Sequence, residues 1–215
     1  TIIPDLDTVP RPLLLWRSLT HWIGGIGIVV VFLVILPSVG AARQRLFQVE
    51  TPGPDISERG LRPTAGEAAK KLTTLYLMIT AAALGGYLLG GMGPFDAVNH
   101  AFSVVATGGF STKDESIAAF ATPFIEWWTI LIMIMVGLNF TLLGQLLRGR
   151  LGVLRDLETK TYLGLKITCS VLTALVLAVS LTVWQDTAGT EHTGFFAALR
   201  HGTFVTVAMQ TGTGF

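Results

Sequence analysis

The sequence predicts an all-α polytopic membrane protein built from tandem helix–pore-loop–helix repeats, with about four transmembrane helices and two shorter re-entrant helices. Three observations carry this. Hydrophobic residues make up 51% of the 215 positions and charged residues only 13%, with a mean hydropathy of +0.61, outside the range of soluble domains. The apolar residues fall into blocks of span length, interleaved with two blocks too short to cross. Each short block runs directly into a cluster of Thr and Gly.

Leu13 to Leu36 is mostly apolar and is followed by Pro37; at 1.5 Å per residue it covers the roughly 30 Å of a hydrocarbon core. Leu72 to Met92, Phe124 to Leu147 and Tyr162 to Trp184 are the second, third and fourth spans. Trp16, Trp22, Trp127, Trp128 and Trp184 lie near span ends, where interfacial aromatics belong. Phe95 to Ala106 and Phe195 to Ala208 are of the length expected for re-entrant helices. The Gly and β-branched Thr that follow each cannot continue a helix well. Irregular backbone at membrane depth is tolerated only where protein buries it or where it lines a watery cavity, so these segments predict a pore.

Charge distribution orients the chain. Arg43, Arg45, Arg59, Arg62, Lys70 and Lys71 separate spans one and two, and Arg148, Arg150, Arg155, Lys160 and Lys166 lie at or near the connection of spans three and four. Both segments are therefore expected inside. The connections holding the short helices carry Asp114, Glu115, Asp186 and Glu191 with only Lys113 and Arg200, so both loops enter from outside. The pattern of helix, short helix, Gly/Thr loop and helix recurs with a period of about 105 residues. It divides the chain into a closing helix of a preceding unit (1–42), a cytoplasmic loop (43–71), a complete unit (72–147), a second cytoplasmic loop (148–160), and the first helix and pore loop of the next unit (161–215). With no initiator Met and no signal peptide, the chain reads as a piece of a longer polypeptide.

The loop residues suit a dehydrated cation. Gly108, Gly109, Gly212 and Gly214 permit the backbone angles that line up carbonyl oxygens, and Thr107, Thr211 and Thr213 add hydroxyls. The carboxyl ends of the short helices would point their negative dipole ends at the pore. The lone cysteine, Cys169, sits in an apolar stretch, which leaves no disulfide framework or CxxC motif. No HExxH, GxSxG or membrane-depth carboxylate pair suggests an enzyme.

Three stretches carry a family resemblance: the run from Trp16 through Gly24-Gly25-Ile26-Gly27-Ile28, the run from His100 through Ala106-Thr107-Gly108-Gly109-Phe110 to Thr112, and Thr211-Gly212-Thr213-Gly214-Phe215. Together they resemble the Trk/Ktr/HKT superfamily of potassium transporters, most closely its bacterial TrkH-type branch. That resemblance implies a potassium-channel-like pore of four units in one chain, with Gly109 and Gly214 as central filter residues. Carbonyls of Ala106, Thr107 and Gly108, and of Thr211, Gly212 and Thr213, would border the sites of transported K+. It also implies a multi-pass protein of the bacterial inner membrane, surrounded by lipid, homodimeric, and paired with a cytosolic nucleotide-binding regulatory subunit on the basic inner loops. No organic cofactor and no nucleic acid are expected. The first and fourth filters would lie outside 1–215, and Gly212 stands where relatives usually carry a threonine.

Other polar residues have simpler readings. His100 and His201 are expected to cap or pack the short helices, and Arg17 and His21 to sit in the outer third of span one with Arg17 snorkelling. Asn139 is expected to make an interhelical hydrogen bond, and Gly24-Gly25-Ile26-Gly27 and Gly86-x-x-x-Gly90 to allow close helix packing. The competing functions are a secondary transporter with re-entrant hairpins, which predicts inverted repeats, and a non-conducting membrane subunit.

Overall fold

The computed structural model describes residues 5–6, 8–38, 65–120, 122–138, 140–146, 149, 152, 156–180, 183–185, 191–193 and 195–215. Arg43, Arg45, Arg59, Arg62, Asn139, Arg148, Arg150, Arg155 and Asp186, all singled out above, lie outside the described residues.

Helix α1 is Arg11–Ser38, α2 Ala65–Leu89, α3 Pro94–Val105, α4 Pro123–Val136, α5 Phe140–Leu146, α6 Leu157–Ser180 and α7 Phe195–Thr211. A 3-10 turn occupies Ser116–Phe120, and strands β1 (Val183–Gln185) and β2 (Glu191–Thr193) pair antiparallel with Trp184 opposite His192. Helices thus dominate as predicted, and the short hairpin is the one strand pair among the described residues. The first short helix falls within one residue of where the sequence puts it, whereas α7 runs three residues past the expected Ala208 and takes Thr211, expected in the loop, as its last residue. Pro94 supplies the pre-set φ of an N1 residue to α3, and Asp96 in the first turn complements its dipole. Pro123 opens α4 in the same way.

All four spans differ from expectation in their ends or continuity. Pro37 lies inside the last turn of α1 rather than beyond it. The second span ends at Leu89, because Gly91 at φ +94° reverses the chain while the Met92 and Gly91 N–H groups return to the carbonyls of Tyr87 and Leu88. The fourth span begins at Leu157, five residues before the expected Tyr162, where the Asp156 carboxylate accepts the Glu158 N–H at 3.2 Å. It stops at Ser180, so Trp184 belongs to the hairpin. The third span is two helices, α4 and α5, with the break after Val136. At that break the Tyr162 hydroxyl occupies the space a side chain at Gly137 would need and donates to the Ile134 carbonyl at 3.1 Å.

Packing follows the small residues. Gly86 lies against the Trp128 indole and Gly90 against Ile125 and Phe124, so Gly86-x-x-x-Gly90 is the surface on which α4 approaches α2. Gly25 brings α1 against Tyr76 and Ala106, whereas Gly24 and Gly27 face no described atom within 4 Å. Gly202 on α7 abuts the backbone of Ala174 on α6 at 2.9 Å from a notional Cβ. Trp22 packs within the helix bundle: its ring lies on Tyr76 and Phe102 and its N–H donates to Thr80 Oγ1 at 3.1 Å. The core around Tyr87, Ile79, Val104, Val105, Ile132, Met133 and Val207 closes beneath the two Gly/Thr loops.

Candidate ion-filter site

Both short helices, α3 and α7, end in the same backbone sequence of turns. In the first loop the left-handed residues are Thr107 (φ +54°) and Gly109 (φ +64°); in the second they are Gly212 (φ +71°) and Gly214 (φ +68°). Each pair is separated by one residue of ordinary φ. Such alternation turns successive N–H groups to one side of the chain and leaves the carbonyls on the other. Ala106-Thr107-Gly108-Gly109-Phe110 therefore matches Thr211-Gly212-Thr213-Gly214-Phe215 position by position. The glycine at 212 departs from a threonine run without departing from the geometry, because it occupies the left-handed position that Thr107 fills under strain.

The loops meet. A Cβ added at Gly109 would fall into the Thr213 carbonyl oxygen and would lie 2.9 Å from the Gly214 carbonyl group. Gly109 is thus required twice, by its φ and by the neighbouring loop, and the central glycines of the two repeats stand side by side. Gly212 and Gly214, by contrast, have open space where a side chain would go.

Loop one is held mainly by side chains. The Phe110 N–H donates to Ser103 Oγ at 2.5 Å, and the Gly108 N–H to the Ser103 carbonyl at 2.8 Å. From α1, Arg17 Nη2 donates to the Ser111 carbonyl at 2.6 Å, and His21 Nε2 lies 3.1 Å from the Ala106 carbonyl oxygen. Sequence reasoning treated Arg17 and His21 as interfacial residues; the structure puts both directly behind the loop. The signal was their four-residue spacing, which sets them on one helix face. His100 is fully buried, bonded to the Asp96 carbonyl at 2.8 Å and to Ser111 Oγ at 2.9 Å, and stacked on Phe215 with ring centres 6.0 Å apart. It packs the short helix as expected, and also joins the exit of one loop to the last residue of the other.

Loop two is held by its own helix. Thr211 Oγ1 donates to the Val207 carbonyl at 2.8 Å and lies 2.8 Å from Thr213 Oγ1, and the Gly214 N–H reaches the Ala208 carbonyl at 3.2 Å. Lys166, counted above with the inner-connection cations, is instead a buried residue of α6. Its ammonium lies 4.6 Å from the Tyr162 ring centre and 3.5 Å from Gln210 Oε1, at the foot of this loop. Arg200 on α7 forms a 2.9 Å ion pair with Glu126 of α4, and His201 Nδ1 lies 3.8 Å from the same oxygen.

Comparisons with known proteins agree over the whole chain. The family model TrkH, described as cation transport protein, matches residues 1–215. The chain is 35% identical over 217 residues to the Trk system potassium uptake protein TrkH of Salmonella typhimurium, covering 100% of this chain and 43% of that protein. It is 36% identical to the Trk system potassium uptake protein TrkI of Halomonas elongata, covering 100% of this chain and 41% of that one. The crystal structure of the potassium transporter TrkH from Vibrio parahaemolyticus superposes with a TM-score of 0.78 at 29% identity, covering 100% of this chain and 41% of that structure. The chain spans less than half the length of these relatives.

Proposed function

This chain belongs to the TrkH family of cation transport proteins, and from that premise we propose that it supplies two re-entrant filter loops of a potassium-uptake pore. The observation that carries the reading is the contact of Gly109 with the Thr213 carbonyl between two loops of matching left-handed geometry. Backbone carbonyls of Ala106, Thr107 and Gly108, and of Thr211, Gly212 and Thr213, border the path of the ion, with Gly109 and Gly214 as the central residues. They replace water around K+, the chemistry expected of a carbonyl-lined filter. The alternation of φ supports this for both loops alike.

On this reading 72–147 is one complete helix, loop and helix unit, 1–42 closes the unit before it, and 161–215 opens the next. A multi-pass protein of this family sits in lipid, here taken to be the bacterial inner membrane. Two long helices among the described residues support membrane crossing: Ala69–Leu89 and Leu157–Val179 have span length and composition. The basic inner segments 43–71 and 148–160 suit a cytosolic nucleotide-binding regulator, and the complete protein works as a homodimer.

The direct test is Gly109→Ser in the complete polypeptide carrying this sequence, assayed by ⁸⁶Rb+ and ²²Na+ uptake into proteoliposomes. Loss of uptake, or admission of Na+, is expected, because a Cβ at this position displaces the Thr213 carbonyl. Potassium-selective uptake at the unaltered rate would defeat the assignment.

A further inference from the structure

We propose that Arg17 and His21 form a basic clamp that fixes the shape, and with it the cation preference, of the first filter loop; this rests on the pore reading above. The two residues lie one helical turn apart on α1 and point to the same face. Their targets are carbonyls at opposite ends of the loop. His21 Nε2 meets the Ala106 oxygen at 3.1 Å, where the loop leaves α3, and Arg17 Nη2 meets the Ser111 oxygen at 2.6 Å, where it exits. Between them the Phe110 ring lies 4.6 Å from the guanidinium carbon and 5.4 Å from the imidazole, which it meets edge-on. A carbonyl oxygen only accepts, so the Ala106 contact requires the proton on Nε2 of His21.

Placing the fixed charge of Arg17 behind a loop that passes cations is electrostatically unfavourable unless it is held there by specific contacts. The ring face of Phe110 and the charge-assisted bond to Ser111 hold the guanidinium. Arg17 Nε is buried without a hydrogen-bond partner among the described residues, so the group's position is set by Phe110 and Ser111. His21 also fills the space behind Gly108, where a Cβ would lie 2.7 Å from its ring. The Ala106 carbonyl oxygen is thereby shared with His21, which limits how far it can follow a smaller ion inward. Among the described residues, no Arg and His pair from one helix brackets the second loop in this way; its first residue is held by the Thr211 hydroxyl. The two loops of matching backbone are therefore stiffened by different means, and α1 is a positioning element for loop one.

The experiment compares His21→Met, which keeps bulk and loses the donor, with His21→Gln, which keeps a donor. Both are made in the complete polypeptide, reconstituted in proteoliposomes and assayed by the ability of K+ and Na+ to compete with ⁸⁶Rb+ uptake. The Met variant is expected to lose about fivefold of the K+-over-Na+ preference, as removal of one hydrogen bond of about 1 kcal/mol predicts. The Gln variant should stay within about twofold of wild type on the same grounds. A purely structural His21 would lower the amount of folded protein without moving the ratio. A wild-type protein with no K+ preference overturns both the pore reading and the clamp. A selective wild type whose Met variant keeps its full preference overturns the clamp alone. Should the Met variant fail to fold, Arg17→Lys decides, since Lys lacks the planar fork that stacks on Phe110: a lowered ratio supports the clamp and an unaltered ratio sinks it.

Discussion

At the scale of single residues, the two Gly/Thr loops hold two kinds of glycine that the sequence alone does not separate. Gly109 is pinned by φ and by the neighbouring Thr213 carbonyl, whereas Gly212 is pinned by φ only. The same comparison marks Thr107 as the strained member of its pair, a β-branched residue at φ +54°. Thr107→Gly should therefore raise the thermal midpoint of the detergent-solubilised protein, by an amount corresponding to about 1 kcal/mol, the usual cost of left-handed backbone at a residue with a Cβ. A lowered midpoint would mean that the Thr107 side chain holds the loop in a way its backbone does not reveal. The Gly/Thr runs were legible from sequence because Gly and Thr report directly on backbone angles. The clamp was not, since Arg17 and Ser111 are 94 residues apart and His21 and Ala106 are 85 apart. Nothing local in α1 announces a partner at that distance.

At the scale of elements, length and hydropathy located the spans, while their ends and breaks depended on contacts. The apolar run from Phe124 to Leu147 contains no proline to split it; the break follows from Tyr162, which comes from another helix and sits against Gly137. The hairpin at 183–193 was likewise illegible, since its strands are only three residues each. Small-residue spacing was more informative, and Gly86 shows why: a side chain there meets the middle of the Trp128 indole, whose N–H is committed to the Ala83 carbonyl at 3.3 Å. Gly86→Ala should destabilise the protein by about 1–3 kcal/mol, the range for overpacking a close contact. The cost should shrink when Trp128→Leu is combined with it, because residues in contact are not additive. Equal losses in the two backgrounds, read as thermal midpoints, would place the strain elsewhere.

At the scale of the whole molecule, the α6–α7 pair joins the rest of the described chain chiefly through α4 and through the touching loops. Its outer seam is polar: Glu126 in the first turn of α4 pairs with Arg200 on α7 at 2.9 Å, with side chains only 10% and 15% exposed. A pair so far withdrawn from water differs from a surface salt bridge, because removing one partner leaves the other charge poorly solvated. Arg200→Gln takes the 2.9 Å guanidinium partner from the Glu126 carboxylate, which His201 Nδ1 approaches only to 3.8 Å. Glu126→Gln removes the carboxylate that both Arg200 and His201 approach. Each single substitution should lower the thermal midpoint by the equivalent of about 1–3 kcal/mol. The double substitution should cost less than the two singles added, since amide groups at both positions remove the isolated charge. Because this seam lies on helices and not on the loops, the preference for K+ over Na+ should hold in the variants while the fraction of folded protein falls. A shift in that preference would instead tie the α4–α7 seam directly to filter geometry, through the short path from Arg200 along α7 to Thr211.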